Sequence, residues 1–136
     1  MKRTATAVWS GTGKEGKGHL SSQSGVLAQN HYAWNTRFEE SKGTNPEELI
    51  AAAHAGCFAM KLSFVLGEAG ATAESIEASA TVTLEGGSIT TSHLVVKAKV
   101  PGITKEKFEE CAQNAKANCP VSKVLNLAIS MEAVLV

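Results

Sequence analysis

The hydrophobic pattern is organised around one stretch, Asn45 to about Gly67, NPEELIAAAHAGCFAMKLSFVLG. Asn45 is a helix-capping residue type and Pro46 suits the first helical position. Glu47 and Glu48 place acidic charge in the first turn, where the helix dipole favours it, and Gly67 offers a stop. The run is far longer than the ~11–12 residues of an average globular helix. Its middle is small, with Ala51, Ala52, Ala53, Ala55, Gly56 and Ala59. Its second half is bulky, with Phe58, Met60, Leu62, Phe64, Val65 and Leu66. A helix apolar around most of its circumference is expected inside the protein. The pattern therefore predicts a buried central helix that carries Cys57 where other backbone can approach closely.

Strand-like periods flank this helix. Residues 4–10 read as a strand, followed by the glycine-rich GTGKEGKGH. Gly11, Gly16 and Lys17 have the spacing of a phosphate-binding loop, but Gly18 stands where Ser or Thr would ligate magnesium, and no helix follows. A hairpin turn is the expectation. Residues 18–28 and 31–38 read as two more strands separated at Gln29–Asn30, so an antiparallel meander is predicted up to Thr44. Beyond the helix, Ile76, Ala78, Ala80, Val82 and Leu84 alternate, Gly86–Gly87 turns, and Leu94, Val96, Ala98 and Val100 alternate again, as in a sheet with one buried face. Thr104 can cap a second helix with Phe108, Cys111, Ala112, Ala115 and Cys119 on one face, and Pro120 ends it or starts a short one. A last strand alternates Leu127, Ile129, Met131, Ala133 and Leu135. The order predicts an α+β fold, with antiparallel sheets around a long buried central helix, and no linker or repeat divides residues 1–136 into more than one domain.

Composition narrows the function classes. Thirteen basic and thirteen acidic residues cancel, and without a basic stripe the chain is not expected to bind nucleic acid. The N-terminal MKRTATAVWS has no apolar core of a signal peptide. His54, Lys61 and the two glutamates make the central helix a poor membrane span. A cytoplasmic protein with no membrane partner is expected, and there three cysteines read as buried small hydrophobes, metal ligands or redox groups.

Cys57 and Cys119 are each consistent with core packing. As a pair they suggest more, because each lies on a long helix that must bury a face, and Cys119 abuts Pro120 at a helix end where backbone can shift. One fixed thiol beside a close, movable one is what a peroxidatic and a resolving cysteine require. Cys111, two turns earlier, reads as core. Burial alone would leave Cys57 inert, so its activation needs a positive charge. Arg37, Lys61 and His54 are the candidates, and Arg37 keeps its charge even when partly buried. At about 100° per residue, Glu47 lies roughly 80° from Cys57 around the helix and Glu48 about 180°. Glu48 is also placed to complete a capping box with Asn45, which leaves Glu47 as the better partner for Arg37. Glu47 nonetheless lies about 15 Å along the helix from Cys57.

GTNPEELIAAAHAGCFAMKLS, with NTRF upstream and NCPVSKVL downstream, resembles the OsmC/Ohr family, osmotically inducible protein C and organic hydroperoxide resistance protein. The likeness runs through the LGEAG turn and the PGI segment and is stronger to the OsmC branch. The resemblance implies an intertwined homodimer with active sites at the subunit interface. It implies a thiol-dependent peroxidase that prefers organic hydroperoxides to hydrogen peroxide and serves oxidative and osmotic stress defence. Cys57 would be the peroxidatic thiol and Cys119 the resolving one, closing a disulfide that an external thiol or dithiol reduces. Arg37 would activate the thiolate and Glu47 would hold Arg37. No metal or other cofactor is implied. Gly56 replaces an expected Ala and should alter packing beside Cys57. Apolar Ile50, Phe58 and Met60 would favour alkyl or aryl peroxides.

Two other classes compete. His54-x-x-Cys57 with Cys119 could bind a metal, although no other histidine has ligand spacing. A non-catalytic module holding a small apolar ligand is the alternative function. Hydrolysis by Cys57 with His54 as base is disfavoured by the short, rigid helical spacing.

Overall fold

The computed structural model describes all 136 residues. Its elements are β1 (Ala5–Ser10), β2 (Lys17–Ser22), β3 (Asn30–Tyr32), α1 (Trp34–Phe38), α2 (Pro46–Glu68), β4 (Ser75–Glu85), β5 (Ser88–Lys99), α3 (Lys105–Asn118), α4 (Pro120–Val124) and β6 (Ala128–Leu135). They form two compact units, Met1–Leu49 and Ile50–Val136, with α2 beginning in the first and running through the second. The α+β class stands.

In the first unit β1, β2 and β3 form an antiparallel sheet in that order. The glycine-rich segment is the hairpin between β1 and β2. A Cβ at Gly16 would collide with the carbonyls of Ser10 and Thr12, so the glycines serve a tight backbone approach. The predicted strand over 31–38 is a short β3 followed by the helical turn α1. Thr36 decides this, since its buried Oγ1 accepts the Ala33 N–H at 2.8 Å and lies 2.8 Å from the Thr44 carbonyl oxygen. A threonine that binds backbone locally competes with strand pairing.

The start of α2 follows its signals. Asn45 Oδ1 accepts the Glu48 N–H at 2.8 Å, while Asn45 Nδ2 donates to the Thr36 carbonyl at 2.9 Å. The capping box is only half formed, because the Glu48 carboxylate instead accepts the Thr44 hydroxyl at 2.8 Å. At the far end the stop is Gly70, not Gly67. Gly70 has φ +81°, its N–H bonds the Gly67 carbonyl, and the Ala71 N–H reaches back to Leu66. That pattern is a Schellman motif with glycine at the left-handed position.

The second unit contains the core. β4 and β5 pair antiparallel around the Gly86–Gly87 turn, both glycines at positive φ, with a bulge at Thr83/Leu84. Leu94, Val96 and Ala98 of β5 pack with Phe58, Leu62, Val65 and Leu66 of α2 and with Phe108, Cys111, Ala112, Ala115 and Cys119 of the α3 segment. β6 joins β5 in parallel, so this sheet is mixed where an antiparallel one was expected. The cause is the connection: the chain passes through α3 and α4 before returning, which is the kind of crossover a parallel pair needs.

α2 departs from a fully buried helix. Its buried side is His54, Phe58, Leu62, Val65 and Leu66, whereas Ala52, Ala53, Gly56, Met60, Ser63, Phe64 and Gly67 are exposed. By length and composition α2 could cross a membrane, with 28% of its most apolar window buried. Its inner side is nevertheless committed to the core and to the polar contacts described below.

Candidate active site

The residues singled out from the sequence fall into two arrangements, one in each unit. In the first unit Arg37 sits in the last turn of α1 and Glu47 in the first turn of α2. The guanidinium grips the carboxylate with Nε 3.0 and 3.2 Å from its two oxygens and Nη2 2.7 Å from Oε1. This is the fork geometry that arginine offers and lysine does not. Glu47 is largely buried, its side chain 11% exposed against 38% for Arg37. Glu48 is turned to Thr44 and takes no part.

Arg37 also walls a cavity of about 320 Å³ lined by Trp9, Tyr32, Trp34, Phe38 and Pro46. The guanidinium carbon lies 5.5 Å from the centre of the Phe38 ring, and Trp34 and Phe38 stack at 5.1 Å. No periodic signal disclosed this aromatic group, because its members come from β1, β3 and α1 and meet only through the sheet. The apolar residues expected near the thiol are placed otherwise. Phe58 is wholly in the core and Met60 is exposed at 67%.

In the second unit α2 presents Cys57 half-buried, and Cys119 is fully buried at the junction of α3 and α4. The two thiols interact, Cys119 raising the pKa of Cys57 and Cys57 lowering that of Cys119. Burial pushes Cys57 up, and its interaction with Cys119 adds to this, while the Val121 backbone and the Lys61 charge oppose it. Burial also pushes Cys119 up, but its interactions with Cys57, with the Ser122 backbone and hydroxyl and with the Val121 backbone outweigh it, and the net direction is down. Both cysteines are free thiols. Cys111 is buried in α3, and burial raises its pKa, as expected of a core residue. A Cβ at Gly56 would meet nothing within 4 Å, so the glycine does not change packing beside Cys57.

His54 belongs to the second unit and is fully buried one turn before Cys57. Its Nδ1 lies 2.7 Å from Ser92 Oγ and its Nε2 2.9 Å from Ser122 Oγ. Both ring nitrogens are therefore engaged by hydroxyls, which leaves neither for a metal nor for service as a base to Cys57. Burial lowers its pKa and keeps the ring neutral. Neither serine stood out in the sequence. The available signal was Ser92, a polar residue in phase with Leu94, Val96 and Ala98 on the buried face of β5.

Known proteins share this arrangement of elements. Residues 39–133 match the family model described as OsmC-like protein. The chain is 52% identical over 136 residues to Peroxiredoxin OsmC of Escherichia coli (strain K12), covering 97% of this chain and 95% of that protein. It is 34% identical over 122 residues to Organic hydroperoxide resistance protein OhrB of Bacillus subtilis (strain 168), covering 85% and 88%. The crystal structure of an OsmC like protein from Mycoplasma pneumoniae superposes with a TM-score of 0.77 over 100% of this chain and 98% of that one, at 16% identity.

Proposed function

This chain belongs to the OsmC-like protein family, and from that premise we propose that it is a cysteine-based peroxidase that reduces organic hydroperoxides at the expense of thiols. The observation that carries the reading is the thiol pair, with Cys57 accessible to a small oxidant and Cys119 buried beside it. The Cys57 thiolate attacks the terminal peroxide oxygen. The O–O bond breaks, Cys57 becomes a sulfenic acid, and the alkoxide leaves and takes up a proton as the alcohol. The Cys119 thiolate then attacks the Cys57 sulfur. An S–S bond forms, the S–O bond breaks, and the departing hydroxide is protonated to water. An external thiol or dithiol restores both cysteines by exchange.

Arg37 is assigned to activation of the peroxidatic thiolate and to the charge that develops on the leaving oxygen, and Glu47 to holding the guanidinium fork. The aromatic wall beside Arg37 supports a preference for alkyl or aryl peroxides over hydrogen peroxide. The chain works as a single OsmC-like domain over residues 1–136, in the cytoplasm, where the cell's reductants return the disulfide to thiols. It acts as a homodimer, a reading supported by the exposed Met60 and Phe64 on α2 and Val8 and Trp9 on β1. Exposed large apolar side chains on a helix face or a strand can mark surfaces that another protein covers.

Consumption of cumene hydroperoxide under excess dithiol, for wild type and Cys57→Ser, tests the activity. Turnover in the wild type and none in the variant is expected. Equal consumption by both would overturn the peroxidase reading and favour a ligand-binding module. Intact mass after one equivalent of peroxide without reductant should show the loss of two hydrogens that a Cys57–Cys119 disulfide requires.

A further inference from the structure

A buried polar chain that the peroxidase chemistry above does not use has one member a turn from Cys57 on α2 and another three residues after Cys119. Ser92 on β5, His54 on α2 and Ser122 in α4 are exposed at 0%, 0% and 8%. The imidazole bridges the two hydroxyls at 2.7 and 2.9 Å. Three polar side chains in an apolar core are costly unless each is satisfied, and here each satisfies the next. The chain ties together three elements that are distant in sequence. One of them, α4, follows directly on Cys119, whose carbonyl accepts the Lys123 N–H at 3.1 Å. Ser122 lies in that first turn, and His54 lies one turn from Cys57.

A neutral imidazole donates through one nitrogen and accepts through the other. If Ser92 donates to Nδ1, Nε2–H must donate to Ser122 Oγ, and the Ser122 hydroxyl proton is freed to point elsewhere. The Cys119 sulfur is its neighbour, and Ser122 favours the thiolate there through both hydroxyl and backbone. The opposite polarity would make Ser122 donate to His54 and leave its oxygen to accept from a Cys119 thiol. The relay thus matches either protonation state of Cys119 without moving a heavy atom.

We propose that His54 is a positioning residue for disulfide closure, holding Ser122 and the first turn of α4 against Ser92 so that Cys119 is presented to the oxidised Cys57. The inference rests on the peroxidase reading and concerns only its second step, in which Cys57–SOH and Cys119–SH yield the disulfide and water. The oxidant is the hydroperoxide already consumed in the first step. His54 touches no reacting atom. Its contribution is the place and orientation of the Ser122 hydroxyl.

The test follows both steps in the full chain after one equivalent of cumene hydroperoxide without reductant. Samples are quenched in denaturing acid and alkylated, and intact mass counts Cys57 sulfenic acid trapped by dimedone and the closed disulfide. In Ser122→Ala and in His54→Phe, closure should slow about tenfold or more relative to the first oxidation, the size expected from losing a hydrogen bond to a charged group. Trapped sulfenic acid should accumulate, and Ser122→Thr, which keeps a hydroxyl, should restore much of the closure rate. Closure at the wild-type rate in Ser122→Ala and His54→Phe overturns the proposal and leaves the peroxidase intact. Equal slowing of both steps also overturns it, since it would indicate a general loss of structure. If His54→Phe does not fold, Ser122→Ala decides alone. A wild type that leaves the peroxide unconsumed defeats the peroxidase reading itself.

Discussion

The two units keep themselves together by different means. Every buried hydrophobic side chain, from Phe58 to Cys119, belongs to Ile50–Val136. The first unit buries polar groups instead, Thr36 and Glu47, and β1 is exposed along its whole length. Hydrophobic burial is the dominant favourable term in folding, whereas a partly exposed ion pair contributes little. The second unit therefore has a core of its own, and the first is an arrangement of hydrogen bonds and one arginine fork set beside aromatic surface. Reactive groups follow the same division. The thiols sit in the packed unit, where burial raises Cys57 and neighbouring hydrogen-bond partners outweigh burial at Cys119, and the permanent charge sits in the wetter one.

This contrast can be broken most easily at the core. Phe58→Ala should lose about 3–5 kcal/mol of stability, read from the urea midpoint, whereas Trp9→Ala on the exposed strand should cost far less. Similar losses at the two positions would refute the division. Arg37→Lys removes the fork but keeps the charge, and should lower kcat/KM on cumene hydroperoxide about 10- to 100-fold, as the loss of an oriented donor does. Its urea midpoint should stay near that of wild type, since the pair is partly exposed. An unchanged kcat/KM would remove Arg37 from the mechanism.

His54 gives a pH test of the packed unit. Its folded pKa lies below the ordinary 6.5 because of burial. Above that value both folded and unfolded states hold a neutral ring, and its contribution is complete. As pH falls through 6.5 towards the folded pKa, the unfolded chain takes up a proton that the folded one refuses, and stability drops by at most about 1.4 kcal/mol per pH unit. Urea midpoints at successive pH values should fall more steeply for wild type than for His54→Asn. Parallel slopes would mean that the ring protonates in place. The smallest effect on stability is expected at Phe64→Glu. Placed on the exposed stripe of α2, it should shift the fold by no more than about 0.5 kcal/mol. In size-exclusion chromatography with light scattering it should nevertheless reduce a dimer to the mass of one chain. A dimer that survives would show that the stripe has another role.

Much of the candidate site was legible before folding because its cues are local. Cys57 lies among small helical residues and Cys119 beside Pro120. The choice of Glu47 over Glu48 followed from angle around a helix and from the cap, and the structure puts Arg37 against Glu47. The His54 relay was hidden because its partners lie 38 and 68 residues away. The aromatic wall at Arg37 was hidden for the same reason, with Trp9 and Trp34 reaching it from different elements.

By itself the sequence determined the elements whose signals lie within a few residues. These are the Asn45–Pro46 start of α2, the Thr104 cap of α3, the alternation of β4 and β5 and the Gly86–Gly87 turn. Each is a contest between backbone conformations that neighbouring residues decide. Only the tertiary structure decided that 34–38 is helical, that β6 runs parallel to β5, and that α2 keeps one side exposed. Those outcomes depend on which distant segment covers a face or takes up a backbone group, and an apolar period reports that a face seeks cover without naming what provides it.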